Sequence, residues 1–396
     1  MKHVNSEDTP LSVEPMSLNV ESAVAERYSS ASQATEPSLC CPVDYDPQYL
    51  EVLPQELIDR DYGCGDPSRW VRHGETVLDL GSGGGKICYI ASQIVGAEGR
   101  VWGVDMNDDM LALARKHRHE IGEQIGYHNV EFFKGRIQDL GLDLEQFETR
   151  LEAQPISNVS AWLDMQRHAE QLRHQSPMIP DDSVDVVISN CVLNLVEPNA
   201  RRQLFQEIHR VLRNGGRAVI SDIVCDEPVP DRLQQDPALW SGCISGAFVE
   251  ADFLKAFADA GFYGIELVDR PEDPWATVEG IEFRGVTVRA FKGKEGPCMD
   301  HREAVIYRGP WKQVVDDDGH TLRRGEPMAV CRKTFEIYTR APYADSIIPI
   351  SPREEVVEGV PFDCRRDQVR HPRETKGAEF DRTELPDENC CGPGGC

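Results

Sequence analysis

With 396 residues and a net charge of −26, from 68 acidic against 42 basic side chains, the chain is poorly suited to neutralising a phosphate backbone, which argues against a nucleic-acid substrate. Hydrophobic residues at 40%, together with 32 glycines, exclude wholesale disorder, and the length suits one large domain with appendages as well as two domains. No apolar run approaches the ~18–20 residues of a membrane-spanning helix, and the N-terminus lacks the basic-then-apolar layout of a signal peptide, so a soluble, cytoplasmic protein is expected.

Residues 1–36, rich in Ser, Glu, Thr and Pro, read as a flexible arm. Leu50, Val52, Leu53, Leu57 and Ile58 predict a short amphipathic helix within 45–60, leading to a turn at 61–67. Strand and helix then alternate: a strand over 76–80, a glycine loop, a helix over 87–95, a strand over 101–105, a helix over 107–125 and a strand over 130–133. A polar stretch at about 141–179 reads as an insertion. A strand at 183–189, a helix at 200–212 and a strand at 217–222 follow, and the alternation implies an open parallel sheet with right-handed crossovers. The main domain is expected over 37–295, a small β-rich module over 296–345, and a flexible, cysteine-containing tail over 346–396 ending in NCCGPGGC.

Asp79-Leu80-Gly81-Ser82-Gly83-Gly84-Gly85 follows a strand and opens a helix, so its glycines permit a tight turn and a close approach of backbone to a ligand. Asp105 ends the second strand about 20 residues further on, where an acid accepts ribose hydroxyls. An adenosine ligand follows, and NAD would satisfy the same geometry. The DLGSG wording, with an acid at the end of the first strand, resembles the first motif of class I S-adenosylmethionine-dependent methyltransferases, in which the loop meets a methionine moiety. That resemblance implies Met106 and Ile137 on the two faces of the adenine, with Gln138 or Asp139 at its amino group; ordinary core packing is the alternative for Met106 and Ile137.

Thirteen cysteines in a long chain without an export signal suggest metal or redox thiols rather than a disulfide scaffold. Cys191, flanked by Asn190 and Asn194, follows the fourth strand, where the transferable methyl group would lie. Cys64 stands in YGCG before the first strand, and Cys243 in SGCISGA after the fifth. Three thiols converging on one sheet edge suit a soft, thiophilic centre, zinc or a trivalent metalloid, and the lack of close cysteine pairs disfavours zinc.

The motifs YGCG (62–65), DLGSG (79–83), GVDM (103–106), SNCVLNLV (189–196), RVLRNGG (210–216) and SGCISGA (241–247) together resemble the arsenite methyltransferases over about 40–340, and the cysteine-rich terminus resembles theirs. GSGGGKICYIASQIVG with VDMNDDMLALAR resembles a bacterial subgroup associated with arsenosugar synthesis. The resemblance implies a class I (Rossmann-like) parallel sheet with helices on both faces, S-adenosylmethionine held by Asp79, Gly81, Ser82, Gly83, Gly85, Asp105, Met106, Ile137 and Asn190, and As(III) held by Cys64, Cys191 and Cys243. It further implies that Cys40 or Cys41 forms a disulfide with Cys64 during turnover, with thioredoxin or glutathione as co-substrate reductant, in arsenic detoxification. A monomer acting on a small arsenical, with no nucleic acid or membrane partner, is expected. Lys86-Ile87 departs from the family's usual Arg-Asp pair, leaving methionine-end binding open.

The other cysteines read blandly: Cys88 as core, Cys225, Cys298 and Cys331 as peripheral packing, Cys364 in a charged tail, and Cys390, Cys391 and Cys396 either as an As(III) shuttle or as a tail with no catalytic part. Two alternatives stand beside arsenic methylation: a C-methyltransferase for a quinone-like substrate, which needs an acid or His as base and no thiol triad, and a thiol-rich metalloid-binding protein without turnover.

Overall fold

The computed structural model describes residues 20–36, 43–60, 62–364 and 367–384. It divides into two units between Lys292 and Gly293. In the first, α1 (Val20–Gln33) and the short α2 (Gln55–Asp59) precede the sheet, and Pro54 at the N-cap of α2 makes it shorter than the hydrophobic pattern predicts. β1 (Thr76–Leu80), α3 (Lys86–Val95), β2 (Arg100–Asp105), α4 (Asp108–Lys116), α5 (Arg118–Ile125) and β3 (Val130–Lys134) follow. The single helix predicted over 107–125 is broken at His117, whose ring pairs with Glu56 of α2.

The stretch read as an insertion forms α6 (Leu144–Ala153) and α7 (Val159–Gln175), of which only Met165 and Ala169 are buried. Then come β4 (Val184–Asn190), α8 (Pro198–Val211), β5 (Leu212–Cys225), α9 (Asp231–Gln234), α10 (Pro237–Ser241), β6 (Phe248–Val249) and α11 (Glu250–Asp259). β7 (Tyr263–Asp269), β8 (Ala276–Val278) and β9 (Ile281–Phe291) close the unit.

The strand order is β3-β2-β1-β4-β5-β9-β7, parallel through β5 and antiparallel where β9 joins β5 and β7. Strands covered on both faces must be apolar on both, and β1 is: Leu78 and Leu80 belong to one core with Phe205 and Ile208 of α8, while Val77 belongs to the other with Ile90 and Val95 of α3. Burying each such side chain is worth roughly 1.5–3 kcal/mol. Chain order reverses between β1 and β4, and the register pairs Leu80 with Ser189, so Gly81 and Asn190 leave the sheet side by side. Such a switch point opens a crevice at the carboxyl ends of the strands.

Residues 20–33, expected as part of a flexible arm, are a helix packed on α4 and α10. Composition missed it because its anchors are polar: the Asn107 amide donates to Ala25 O (3.1 Å) and to Ser29 Oγ (3.0 Å), and Arg27 reaches Ala238 O (2.6 Å) and Ser241 Oγ (2.9 Å).

In the second unit, β10 (Met299–Asp300) pairs with β16 (Val360–Pro361), and β11 (Ala304–Tyr307) lies between β14 (Pro327–Ala329) and β15 (Ile347–Ile350). β12 (Gln313–Val315) and β13 (Thr321–Arg323) form a hairpin, α12 (Arg332–Tyr338) follows β14, and α13 (Pro372–Lys376) lies beyond β16. The module therefore runs past its expected end at 345, and residues 367–376 are part of it rather than tail: buried Arg370 holds Asp300 at 2.6 Å, and its N–H donates to Pro327 O at 2.7 Å. Ion pairs of this kind leave no apolar period to read. Cys390, Cys391 and Cys396 lie outside the described residues.

Candidate active site

The Cys64 loop is built by one amide. Asn190, the last residue of β4, accepts from Cys64 N (2.8 Å) and Gly65 N (3.1 Å) through Oδ1, and donates through Nδ2 to Gly65 O (2.6 Å) and the Tyr45 hydroxyl (3.2 Å). Glycine on either side of the cysteine is a matter of space: a Cβ at Gly63 would overlap the Asn190 amide, and one at Gly65 would lie 2.7 Å from Ser221 Oγ. Asn190, expected at the cofactor, thus holds the thiol loop and also lines the cavity that runs from Asp79 to Cys191.

Cys191 leaves β4 with φ 62°, its N–H donating to Ser221 O at 2.8 Å. Cys243 follows α10 with the same φ, and its thiol donates to Cys191 O at 3.2 Å. Left-handed backbone at two non-glycine residues stores strain of the kind that gathers at functional sites. The thiols of Cys191 and Cys243 lie within 4.8 Å of each other and of a carboxylate oxygen of Asp222, and the Cys191 thiol also hydrogen-bonds Cys64. The three expected thiols therefore meet at the carboxyl end of β4.

The setting of Cys191 and Cys243 favours their protonated form. Burial pushes Cys191 well above the ordinary thiol range, with Cys64 and Asp222 adding to the shift; for Cys243 the hydrogen bond with Cys191 comes first, then burial. Opposing this, the Tyr28 hydroxyl of α1 hydrogen-bonds Cys243 and favours its thiolate. Tyr28 is itself held well above the usual phenol range by burial and by the two thiols.

Asp222, fully enclosed, fastens the loop after β4: it accepts from Leu193 N (2.8 Å), Asn194 Nδ2 (2.8 Å) and Ile223 N (2.8 Å). Burial pushes it up to about 7, against those N–H groups and the charge of Arg201. Arg201 donates to Gly246 O at 2.6 Å, tying the Cys243 loop to α8.

Two adjoining cavities flank the glycine loop. One is lined by Gly81, Gly83, Asp105, Met106, Ile137 and Gln138 and is covered by Glu21, Val24, Ala25 and Tyr28 of α1. The other reaches from Asp79, Ser82 and Lys86 to Cys191. Gly81 has φ 70°, and a Cβ there would overlap Val192, next to Cys191. Asp105 accepts from Gly83 N and Asn107 N, each at 2.8 Å, and burial raises its pKa against those bonds. Ser82 Oγ is buried without a hydrogen-bond partner. Gly85 caps α3 in left-handed conformation, and Asp79 accepts from the Cys88 thiol at 3.2 Å. Asp139 is removed from adenine recognition by a chelated ion pair with Arg173 (2.8 Å), which leaves Gln138 at the cavity. Lys86 directs its ammonium to the Tyr45 ring, 3.8 Å from the centroid.

Sequence reasoning missed Tyr28, Asp222, Arg201 and the structural duty of Asn190. A buried acid in Ser221-Asp222-Ile223, inside an apolar strand, was the one available signal. Cys40 and Cys41 lie outside the described residues. Cys88 and Cys225 are ordinary buried thiols, the latter donating to Phe248 O at 3.3 Å.

A parallel sheet with its switch point between β1 and β4, a glycine loop and an acid ending β2 define a class I S-adenosylmethionine-dependent methyltransferase. Residues 72–161 and 163–261 match a family model described as a methyltransferase domain, and residues 294–380 match one described as a domain of unknown function. The chain is 32% identical over 318 residues to an arsenite methyltransferase of Aquipseudomonas alcaligenes, covering 76% of this chain and 81% of that relative. To an arsenite methyltransferase of Mus musculus it is 30% identical over 315 residues, covering 76% and 73%. The crystal structure of an arsenic(III) S-adenosylmethionine methyltransferase from Chlamydomonas reinhardtii matches with a TM-score of 0.53 at 27% identity, over 82% of this chain and 100% of that one. The chain belongs to the arsenite methyltransferase family.

Proposed function

We propose that this enzyme methylates trivalent arsenic, arsenite and then methylarsenite, held by the thiolates of Cys64, Cys191 and Cys243. The observation that carries this reading is the approach of the Cys191 and Cys243 thiols to within 4.8 Å of each other at the end of β4, beside the glycine loop, with Cys64 hydrogen-bonded to Cys191. Membership of the family favours the same acceptor.

The cavities fit S-adenosylmethionine: Asp105 would take the ribose hydroxyls, Met106 and Ile137 the adenine faces, and Asp79, Gly81, Ser82, Gly83 and Gly85 the methionine end, where the unpartnered Ser82 hydroxyl favours a polar contact. When bound, it supplies an electrophilic sulfonium methyl group, to which thiolate-held As(III) presents its lone pair without need of a general base.

On capture, As(OH)₃ exchanges three hydroxides for three thiolates, and the thiol protons leave with the hydroxides as three waters. Positioning falls to Asn190, which holds the Cys64 loop, to Asp222, which holds the Cys191 loop, and to Tyr28, whose hydroxyl biases Cys243 toward thiolate. Methylation takes arsenic formally from +3 to +5. Two electrons from a thiol pair, Cys40 or Cys41 with Cys64, return it to +3 as a disulfide forms, and thioredoxin or glutathione reduces that disulfide. Such chemistry suits a cytoplasmic monomer engaged in arsenic detoxification.

Mass-spectrometric arsenic speciation after incubation with arsenite, S-adenosylmethionine and a thiol reductant tests the reading. Methylated arsenicals absent from a Cys191→Ser control are expected. Cofactor binding without any change in the arsenical overturns it.

A further inference from the structure

Cys298, Cys331 and Cys364, scattered in sequence and outside the site above, lie together in the second unit, with sulfur atoms all within 4.8 Å of one another. The backbone explains the convergence. β10 and β16 pair antiparallel, Met299 opposite Pro361, and Phe362 N donates to Cys298 O at 2.9 Å, which brings the start of one strand to the end of the other. Cys331 arrives as the N-cap of α12, its sulfur accepting from Thr334 N at 3.4 Å and lying 3.2 Å from Thr334 Oγ1. A small hydrophobe would explain one such cysteine, but not three drawn together with two of them half-buried and open to solvent.

We propose that Cys298, Cys331 and Cys364 form a second three-thiol site, which binds As(III) apart from the site of methylation. The choice of arsenic rests on the proposed function. The choice of a three-coordinate ion rests on the donor set: among the described residues the cluster offers three sulfurs and no fourth ligand, whereas structural zinc takes four, and a trivalent ion with a lone pair is complete with three. Binding then exchanges three As–O bonds for three As–S bonds and releases three waters; arsenic stays at +3 and no reductant is consumed.

The test uses the full chain, reduced and metal-free, with sodium arsenite as probe, native mass spectrometry for stoichiometry and arsenic K-edge absorption for coordination. Three forms are compared: wild type, C298S/C331S/C364S and C64S/C191S/C243S. All share every other cysteine, so differences isolate these two clusters. The C298S/C331S/C364S chain should bind one arsenic fewer than wild type and still methylate, and C64S/C191S/C243S should keep an arsenic with three sulfur neighbours while methylation is lost. Ser is itself a good N-cap, so α12 should survive the change at Cys331. The single variant Cys364→Ala adds a check, with one sulfur neighbour lost and release at least about tenfold faster, an effect of roughly 1.4 kcal/mol. Unchanged stoichiometry in C298S/C331S/C364S overturns the second site even if methylation proceeds, as does zinc filling the cluster in preference to arsenite. Failure of wild type to methylate, with arsenic still bound by C64S/C191S/C243S, overturns the proposed function and leaves the second site standing.

Discussion

Cys331 of the second thiol cluster sits in an electrostatic setting opposite to that of Cys191 and Cys243 in the first. Cys191 and Cys243 are buried against the enclosed Asp222, and both thiols are pushed up. Cys331 sits at the start of α12 with N–H and O–H groups around its sulfur, and its thiol is pulled down. A buried thiol beside a carboxylate stays protonated until an ion displaces the proton, which suits a site filled and emptied in each turnover. Hydrogen bonds from Thr334 to the Cys331 sulfur favour its thiolate over its thiol, which suits retention.

The largest effect should come from breaking each cluster in turn. Cys191→Ser should lower methylation by at least about 10²-fold, the scale of a misplaced reacting group, whereas Cys331→Ser should leave methylation within about twofold of wild type, a difference below about 0.4 kcal/mol. Equal losses in the two variants, measured by arsenic speciation, would remove the distinction. Asp222 provides the next test. Its folded value of about 7 exceeds the unfolded value near 3.9, so the folded state carries the extra proton between about pH 4 and 7, and this group's contribution to stability declines as pH rises through that window. Asp222→Asn should flatten the pH dependence of stability there by up to about 1.4 kcal/mol per pH unit in denaturant titrations. Parallel slopes for the two proteins would mean that the carboxylate is not held up by burial.

The first cluster was legible in the sequence and the second was not, for a physical reason. Cys64, Cys191 and Cys243 each lie just beyond a strand or in a glycine-flanked turn, and a parallel sheet gathers such positions at one edge, where Asn190 and Arg201 then fix the loops. Cys298, Cys331 and Cys364 are gathered by two-residue strands and a helix cap, features too short to leave a hydrophobic period. The same holds for α1, fastened by Asn107, Arg27 and Arg60 rather than by a continuous apolar stripe. Asn190 shows a subtler gap: its position at the end of β4 is visible in the sequence, but its hold on the Cys64 loop depends on which loop crosses above it.

Tyr28 links the hidden helix to the visible cluster. Tyr28→Phe removes a hydrogen bond that favours the Cys243 thiolate, so that thiol should rise further, its alkylation at fixed pH should slow by about two- to tenfold, and the lost rate should return at higher pH. Cys331 in the same sample, mapped by peptide mass spectrometry, should react as in wild type. An unaltered Cys243 rate would separate α1 from the chemistry.

The smallest effect is the most discriminating. Asn107 caps α4, accepting from Asp109 N and Met110 N at 3.0 Å each, and holds α1 through Ala25 and Ser29. Asn107→Ala should lower stability by about 1 kcal/mol through the lost cap. Release of α1 should also uncover the cavity at Asp105, since Glu21, Val24, Ala25 and Tyr28 form its cover. The combined expectation is faster alkylation of Cys191 and Cys243 at a pH high enough to mask the loss of the Tyr28 bond, with Cys298, Cys331 and Cys364 unchanged. If all five thiols gained reactivity together, the substitution would have loosened the whole chain, and the cover assigned to α1 would have to be abandoned.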